Sequence, residues 1–73
     1  MYDIKTVKGK NGVYQNIRES LKKGQPDRFI IDGDYGGLTR ELLDSEIARL
    51  ERNGRSPTEI IAILGDGSII YWP

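Results

Sequence analysis

The stretch DRFIID, residues 27–32, decides the fold. Its three central residues, Phe29 to Ile31, form a continuous apolar run that turn residues bound on both sides. A short run of this kind is typical of a strand in the centre of a sheet, covered on both faces. We therefore expect a sheet built around this segment.

Upstream of this run, the pattern predicts one strand and one helix. Residues 2–8 alternate between apolar and polar side chains and indicate a strand, whose Ile4 and Thr6 would pack on the helices. Val13, Ile17 and Leu21 recur every four residues and predict an amphipathic helix over roughly residues 12–23. Asn11 precedes this helix and is a candidate N-cap.

Downstream, a second helix and a hairpin are predicted. Thr39 is a candidate N-cap, Leu38 and Leu43 form a hydrophobic staple, and Asn53-Gly54 ends the helix. We expect the acidic residues of 41–51 on its solvent face. The apolar segment 59–64, a GDG turn at 65–67 and the segment 68–72 then predict a β-hairpin.

The resulting order is β-α-β-α-β-β, an α/β fold in which a small mixed four-stranded sheet packs with two helices. We expect residues 1–73 to form a single small domain. The strands joined through helices should be parallel, with right-handed crossovers. The last strand should be antiparallel, at an edge, and should close the core with Tyr71 and Trp72.

The composition excludes several kinds of chemistry. The chain has no cysteine and no histidine, so disulfides, thiolate metal sites and histidine-dependent nucleophilic mechanisms are excluded within it. Any chemistry must use carboxylates, lysine, arginine, tyrosine or a hard metal ion held by oxygen. No apolar run approaches the roughly 20 residues that span a bilayer, and no basic n-region with an apolar h-region opens the sequence, so we expect no signal peptide.

Charge is unevenly distributed along the chain. Residues 1–28 hold seven Lys and Arg against three acids, giving +4, and residues 29–73 hold four Arg against eight acids, giving −4. Every lysine lies in the first part. This basic part is a candidate phosphate-facing surface, although chance imbalance is common in small domains.

The first strand carries an acid and a lysine two residues apart, Asp3 and Lys5, which therefore point to the same face. In a metal-dependent nuclease, such a carboxylate binds Mg²⁺ and such a lysine orients the attacking water and offsets developing negative charge. The alternative is a solvated ion pair worth about 0–1 kcal/mol.

The segment DIKTVKGKNGVYQNIRESLKKGQPDRFIID, 3–32, and the closing EIIAILGDGSIIYW, 59–72, resemble a known family. The pattern is similar to the carboxy-terminal nuclease domains of polymorphic and contact-dependent growth-inhibition toxins, which belong to the PD-(D/E)XK group. The shared elements are an acid-x-lysine strand, a lysine-rich helix, an apolar strand ending in Asp and a final hairpin. The likeness covers nearly the whole chain.

The resemblance implies a bacterial nuclease toxin domain that hydrolyses RNA, often tRNA, or DNA. It implies Asp3, Lys5 and Gln15 as catalytic residues, Asp3 as the Mg²⁺ ligand, and Lys8 and Lys10 as contacts to the nucleic-acid backbone. The expected partners are nucleic acid and an immunity protein, in the cytoplasm of a target cell. The basic helix adds a further pair of candidate nucleic-acid contacts, Lys22 and Lys23.

The family also has two further acids, one on an earlier helix and one on the strand before the acid-x-lysine strand. Because residues 1–73 contain neither, we expect the carboxy-terminal half of the catalytic domain. The second hypothesis is a non-catalytic interaction module. Its first strand would pair with a second copy, giving a homodimer, or with a complementing chain.

Overall fold

A computed structural model describes residues 2–9, 11–24 and 27–73 of the chain. The predicted order of elements is confirmed, and the bounds are β1 (Asp3–Thr6), α1 (Gly12–Lys22), β2 (Arg28–Asp32), α2 (Arg40–Arg52), β3 (Glu59–Ile63) and β4 (Ile69–Trp72). The fold is therefore a small α/β fold with two helices and four strands. Neither helix is long and apolar enough to cross a membrane.

The sheet follows the order of the sequence, β1-β2-β3-β4. β1, β2 and β3 are parallel, and β4 runs antiparallel to β3 at an edge, as predicted. β1 forms the other edge. The register places Ile4 beside Ile30, Ile30 beside Ile61 and Ile61 beside Tyr71, so one row of side chains crosses the whole sheet.

The ends of α2 follow the predicted signals. The hydroxyl oxygen of Thr39 accepts a hydrogen bond of 3.2 Å from the Leu42 N–H, which caps the first turn. Asn53 is the C-cap of the helix, and Gly54 follows with a φ of 71°, a left-handed conformation that glycine adopts without steric cost. The cap and the end of this helix are therefore both confirmed.

The start of α1 differs from the prediction. Asn11 has a left-handed φ of 69° and its side chain makes no capping hydrogen bond. Its amide oxygen instead accepts a hydrogen bond of 3.0 Å from Arg49 on α2. The prediction of Asn11 as a side-chain cap is wrong, because this side chain is turned towards the second helix.

Glu46 on α2 supplies the acceptors that this helix start needs. Its two carboxylate oxygens accept backbone N–H bonds from Asn11 at 3.2 Å and from Tyr14 at 2.8 Å. Glu46 is only 4% exposed to solvent. The expectation that every acid of 41–51 lies on the solvent face is therefore wrong for Glu46, whereas Glu41, Asp44 and Glu51 are exposed.

The core lies between the two helices and one face of the sheet. α1 and α2 pack side by side, and their apolar stripes meet the side chains that β2 and β3 direct to that face. The fully buried side chains of this core include Val13 and Ile17 on α1, Leu43 and Leu50 on α2, and Phe29, Ile31 and Ile60 on the strands. This packing fixes α1 against β1, where the candidate site lies.

The opposite face of the sheet is not covered by any described element. Ile4 and Thr6 point to this face, not to the helices, and Ile4 is 67% exposed. Ile30, in the middle of the same row, is only half-buried. The expectation that β2 is covered on both faces, and that Ile4 and Thr6 pack on the helices, is therefore wrong.

The aromatic residues of β4 divide between the two faces. Trp72 packs against the hydrophobic core, as predicted. Tyr71 lies on the uncovered face and is 68% exposed. The prediction that both residues close the core is correct for Trp72 and wrong for Tyr71, because neighbouring residues of a strand point to opposite faces.

Candidate functional site

Asp3 and Lys5 form an ion pair at the edge of the core. The ammonium nitrogen of Lys5 lies 3.4 Å from the Asp3 Oδ2 oxygen, and both side chains are largely but not fully buried. The two residues stand beside Phe29 and Ile31 in the register, on the face that packs against the helices. The alternation of β1 correctly predicted a shared face, and the structure shows which face it is.

Ser20 on α1 is the third member of this group, and sequence reasoning missed it. Its hydroxyl donates a hydrogen bond of 2.7 Å to the same Asp3 Oδ2 oxygen. Ser20 is fully buried together with Val13 and Ile17 of the same helix. Its spacing could have predicted its burial. Ser20 follows Ile17 by three residues and Val13 by seven, which places it on the buried stripe of the helix.

The arrangement leaves one oxygen of the carboxylate without a described partner. Lys5 and Ser20 both contact Oδ2, and no residue in the described ranges donates a hydrogen bond to Oδ1 of Asp3. The Asp3 side chain retains 20% of its exposure and that of Lys5 retains 27%. A fixed, partly exposed carboxylate beside an ammonium group is suited to contact a cation and a phosphate oxygen together.

Gln15 is not brought to this pair. It is exposed on α1, five residues before Ser20, and at about 100° per residue it lies roughly 140° around the helix from it. Asn16 lies only about 40° from Ser20 on the same side, and it is half-buried. Its amide nitrogen donates a bond of 2.7 Å to the Gly12 carbonyl oxygen.

The described candidate nucleic-acid contacts lie towards opposite ends of β1. Lys22 and Lys23 are exposed at the carboxyl end of α1, two and three residues after Ser20, and so lie near the Asp3 end of β1. Lys8 follows β1 at its other end, with its ammonium nitrogen 4.9 Å from the centre of the Tyr35 ring. Lys10 lies outside the described residues.

The site contains few metal ligands. In the ranges 2–9, 11–24 and 27–73, no three acidic side chains come together in a way that would hold a metal ion. Asp3 is thus a single carboxylate ligand. Mg²⁺ in proteins is commonly bound through one or two carboxylates, with waters and substrate phosphates completing its shell. The described residues therefore fit one part of such a shell.

A shallow groove of about 520 Å³ lies elsewhere, formed by residues 37–41 and 64–66. It lies between the first turn of α2 and the β3–β4 turn, and includes the acids Glu41 and Asp66. None of the predicted site residues contributes to it. The ion pair at the β1 edge is therefore the candidate site that brings the predicted chemical groups together.

No family model, curated protein or solved structure matches the chain.

Proposed function

We propose that this chain carries one half of a metal-dependent nuclease site, centred on Asp3 and Lys5, that hydrolyses phosphodiesters of RNA or DNA. The observation that carries the proposal is the fixed carboxylate of Asp3, held by Lys5 at 3.4 Å and by Ser20 at 2.7 Å. The domain would be the nuclease part of a toxin, with tRNA as the first candidate substrate.

Two features distinguish this pair from an ordinary surface ion pair. Both side chains are mostly buried, so they are less screened by water than an exposed pair. In addition, a buried hydroxyl on a separate element fixes the carboxylate, which restricts its rotamer. A preorganised charged group of this kind is what transition-state stabilisation requires.

Each residue would have a separate task. Asp3 would hold Mg²⁺ through its carboxylate, and the bound ion would supply charge stabilisation at the phosphate. Lys5 would orient the attacking water and offset the negative charge that develops on the phosphate oxygens. Ser20 would position Asp3 by occupying one carboxylate oxygen, and the exposed lysines near the helix end, Lys22 and Lys23, would contact the backbone phosphates.

The second acid of the site would come from polypeptide outside the described residues. β1 pairs with β2 on one side, and no described strand pairs with its outer side. The backbone groups of that outer edge are suited to accept another strand, which would place a side chain next to Asp3. A complementing chain or a second copy would thereby complete the metal shell. An immunity protein that covers this edge would inhibit the activity.

A cleavage assay with Mg²⁺ on tRNA and on plasmid DNA tests the proposal, at protein concentrations high enough for a second copy to complete the site. Asp3→Asn and Lys5→Ala should each reduce cleavage by at least about 100-fold, because each removes a charge at the reacting phosphate. Asp44→Asn and Arg52→Ala, which change exposed side chains of α2, are the matched controls. Cleavage that survives both test substitutions would contradict the assignment.

A second readout does not require turnover. Mn²⁺ accepts the same oxygen ligands as Mg²⁺ and broadens nearby resonances in NMR spectra. It should broaden the amide signals of Asp3 and Ser20 in the wild-type chain and not in Asp3→Asn. Equal broadening in the two proteins would place the metal elsewhere.

The open edge of β1 also supports a second candidate function, an interaction module without catalysis. In that case β1 would pair with a strand of another protein, and the Asp3–Lys5 ion pair would be structural. The two functions differ in the effect of Asp3→Asn. A catalytic site loses cleavage while partner binding is retained, whereas in an interaction module no metal-dependent cleavage is present to lose.

A further inference from the structure

The uncovered face of the sheet has a regular composition, and we call it the open face. Its central row contains four large side chains: Ile4, Ile30, Ile61 and Tyr71. On either side of it lie a row with Thr6, Asp32, Ile63 and Ile69, and a row with Tyr2, Arg28 and Glu59. Most of its large side chains are aliphatic or aromatic.

An open face of this kind is unusual for parallel strands. Three of the four strands are parallel, and parallel sheets are almost always covered on both faces. Here the described residues cover only one face, and Ile4, Ile69 and Tyr71 expose more than half of their surface on the other. A contiguous apolar patch of this kind marks an interaction surface more often than scattered exposed residues do.

We propose that the open face binds the open face of a second copy of this chain, through a two-fold axis that runs along the central row. The two sheets would stack face to face, each strand antiparallel to the same strand of the other copy. Ile30 would then lie opposite Ile30 of the second copy. This proposal is independent of the proposed nuclease activity.

Charge complementarity along β2 favours a second copy as the partner. Arg28 lies two residues before Ile30 and Asp32 two residues after it, so all three side chains point to the open face. The proposed axis brings Arg28 of each copy to Asp32 of the other, giving two ion pairs. Within the described part of the chain, Asp32 forms no ion pair, and Arg28 contacts Glu59 at 3.6 Å.

The size of the face determines how strong the association is. Four strands at about 4.8 Å spacing and five residues at about 3.3 Å give a projected area of roughly 300 Å². A standard stable interface buries about 800 Å² of accessible surface on each partner. The face is small by this measure, so the dimer should be weak and should depend on protein concentration.

Sedimentation equilibrium over a range of concentrations tests the proposal. The wild-type chain should shift from 8.3 kDa towards twice that mass as its concentration rises. Arg28→Asp should weaken the dimer at least roughly tenfold through two like-charge contacts. The double variant Arg28→Asp/Asp32→Arg should restore it, since it exchanges the two charges. Glu51→Lys, on the exposed side of α2, is the control and should leave the dimer unchanged.

Cross-linking gives a second, independent measurement. The chain contains no cysteine, so Ile30→Cys introduces a single thiol at the proposed axis. A short bismaleimide should join two copies of this variant, because stacked sheets lie about 10 Å apart, which is beyond the reach of a direct disulfide. Glu51→Cys at the same concentration is the control and should not be joined efficiently. Pairing along the β1 edges would separate the two thiols by several strand spacings, so this measurement distinguishes the two modes of association.

Three results would overturn the proposal. A chain that stays at 8.3 kDa at every concentration would show that a second copy does not bind the open face. A dimer that Arg28→Asp leaves intact, or that the double variant fails to restore, would show that the charges do not meet as proposed. Equal cross-linking of the Ile30→Cys and Glu51→Cys variants would place the interface elsewhere.

Discussion

The hydroxyl of Ser20 lies 2.7 Å from Oδ2 of Asp3, and this hydrogen bond joins α1 to the edge strand of the sheet. Ser20 is only 1% exposed, whereas Asp3 keeps part of its side chain in contact with solvent. The helix therefore holds a carboxylate in place without burying it completely.

Ser20→Ala should lower the free energy of unfolding by about 1–2 kcal/mol, because it removes a buried donor to a charged acceptor. Urea denaturation measures this change. Ser45→Ala on α2 is the matched control, since Ser45 is exposed and its hydroxyl bonds only to a backbone carbonyl of its own helix. A loss no larger than that of the control would mean that the bond adds nothing to stability.

Glu46→Ala should be more costly, by about 2–4 kcal/mol, because two backbone N–H groups at the start of α1 lose their acceptor. Glu46→Gln keeps one carbonyl oxygen and should cost less. Glu51→Ala changes an exposed acid of the same helix and serves as the control in the same denaturation experiment. The cap would be unimportant if Glu46→Ala and Glu51→Ala had equal stability.

Alkaline pH should weaken the contact between Tyr2 and Glu59. The hydrogen bond of 2.6 Å from the phenol to the Glu59 carboxylate raises the pKa of Tyr2 above its usual 10.0, with burial and the Glu59 charge acting in the same direction. The folded chain thus binds this proton more tightly than the unfolded chain. The stabilisation is complete below pH 10.0 and is lost as the pH rises through the raised pKa.

Denaturation as a function of alkaline pH tests this linkage. Tyr2→Phe should lack the part of the pH dependence that this phenol causes. Tyr35→Phe removes a hydroxyl from an 85% exposed ring and is the control. Identical alkaline profiles for the wild type and Tyr2→Phe would contradict the linkage.

Gly36→Ala should destabilise the fold by about 1–3 kcal/mol through overpacking. A Cβ atom at this position would lie 2.5 Å from the carbonyl oxygen of Val7, and backbone cannot move aside easily. Gly24→Ala is a useful comparison. A Cβ atom added at this position would have no neighbour within 4 Å, so only the left-handed φ of 72° makes alanine unfavourable there. Thermal unfolding should show a larger loss for Gly36→Ala, and the reverse order would refute the close approach.

The fold was largely predictable because local signals and hydrophobic periodicity agree along most of the chain. The apolar run of β2, the Thr39 cap and the Gly54 stop each have a local physical cause that is visible in the sequence. The environment of β2 was not predictable in the same way. The apolar run suggested cover on both faces, but whether an element covers Ile30 depends on tertiary packing.

The candidate site was predictable in part. Alternation along β1 places Asp3 and Lys5 on one face, but it does not say whether that face meets the helices or solvent. The neighbouring strand determines which face it is. Asp3 and Lys5 lie beside Phe29 and Ile31, whose side chains are buried against the helices. Ser20 became visible as a partner only once α1 was placed against β1.

Glu46 shows why charge alone is a poor guide to burial. It lies three residues after Leu43 and four before Leu50, so its spacing placed it on the apolar stripe of α2. The rule that acids face solvent conflicts with this spacing, and at Glu46 the spacing gives the correct placement. The rule failed because the start of α1 presents unpaired N–H groups at that point, and a carboxylate satisfies them.

The dependence of α1 on Glu46 has a consequence for how the chain folds. A helix whose first turn is completed by a residue 32 positions away gains little from forming alone. Its nucleation is therefore tied to the arrival of α2, and with it to the closing of both crossovers. The two helices should then open and close as one cooperative unit, so that the Tyr14 amide proton exchanges with solvent only when both helices open together.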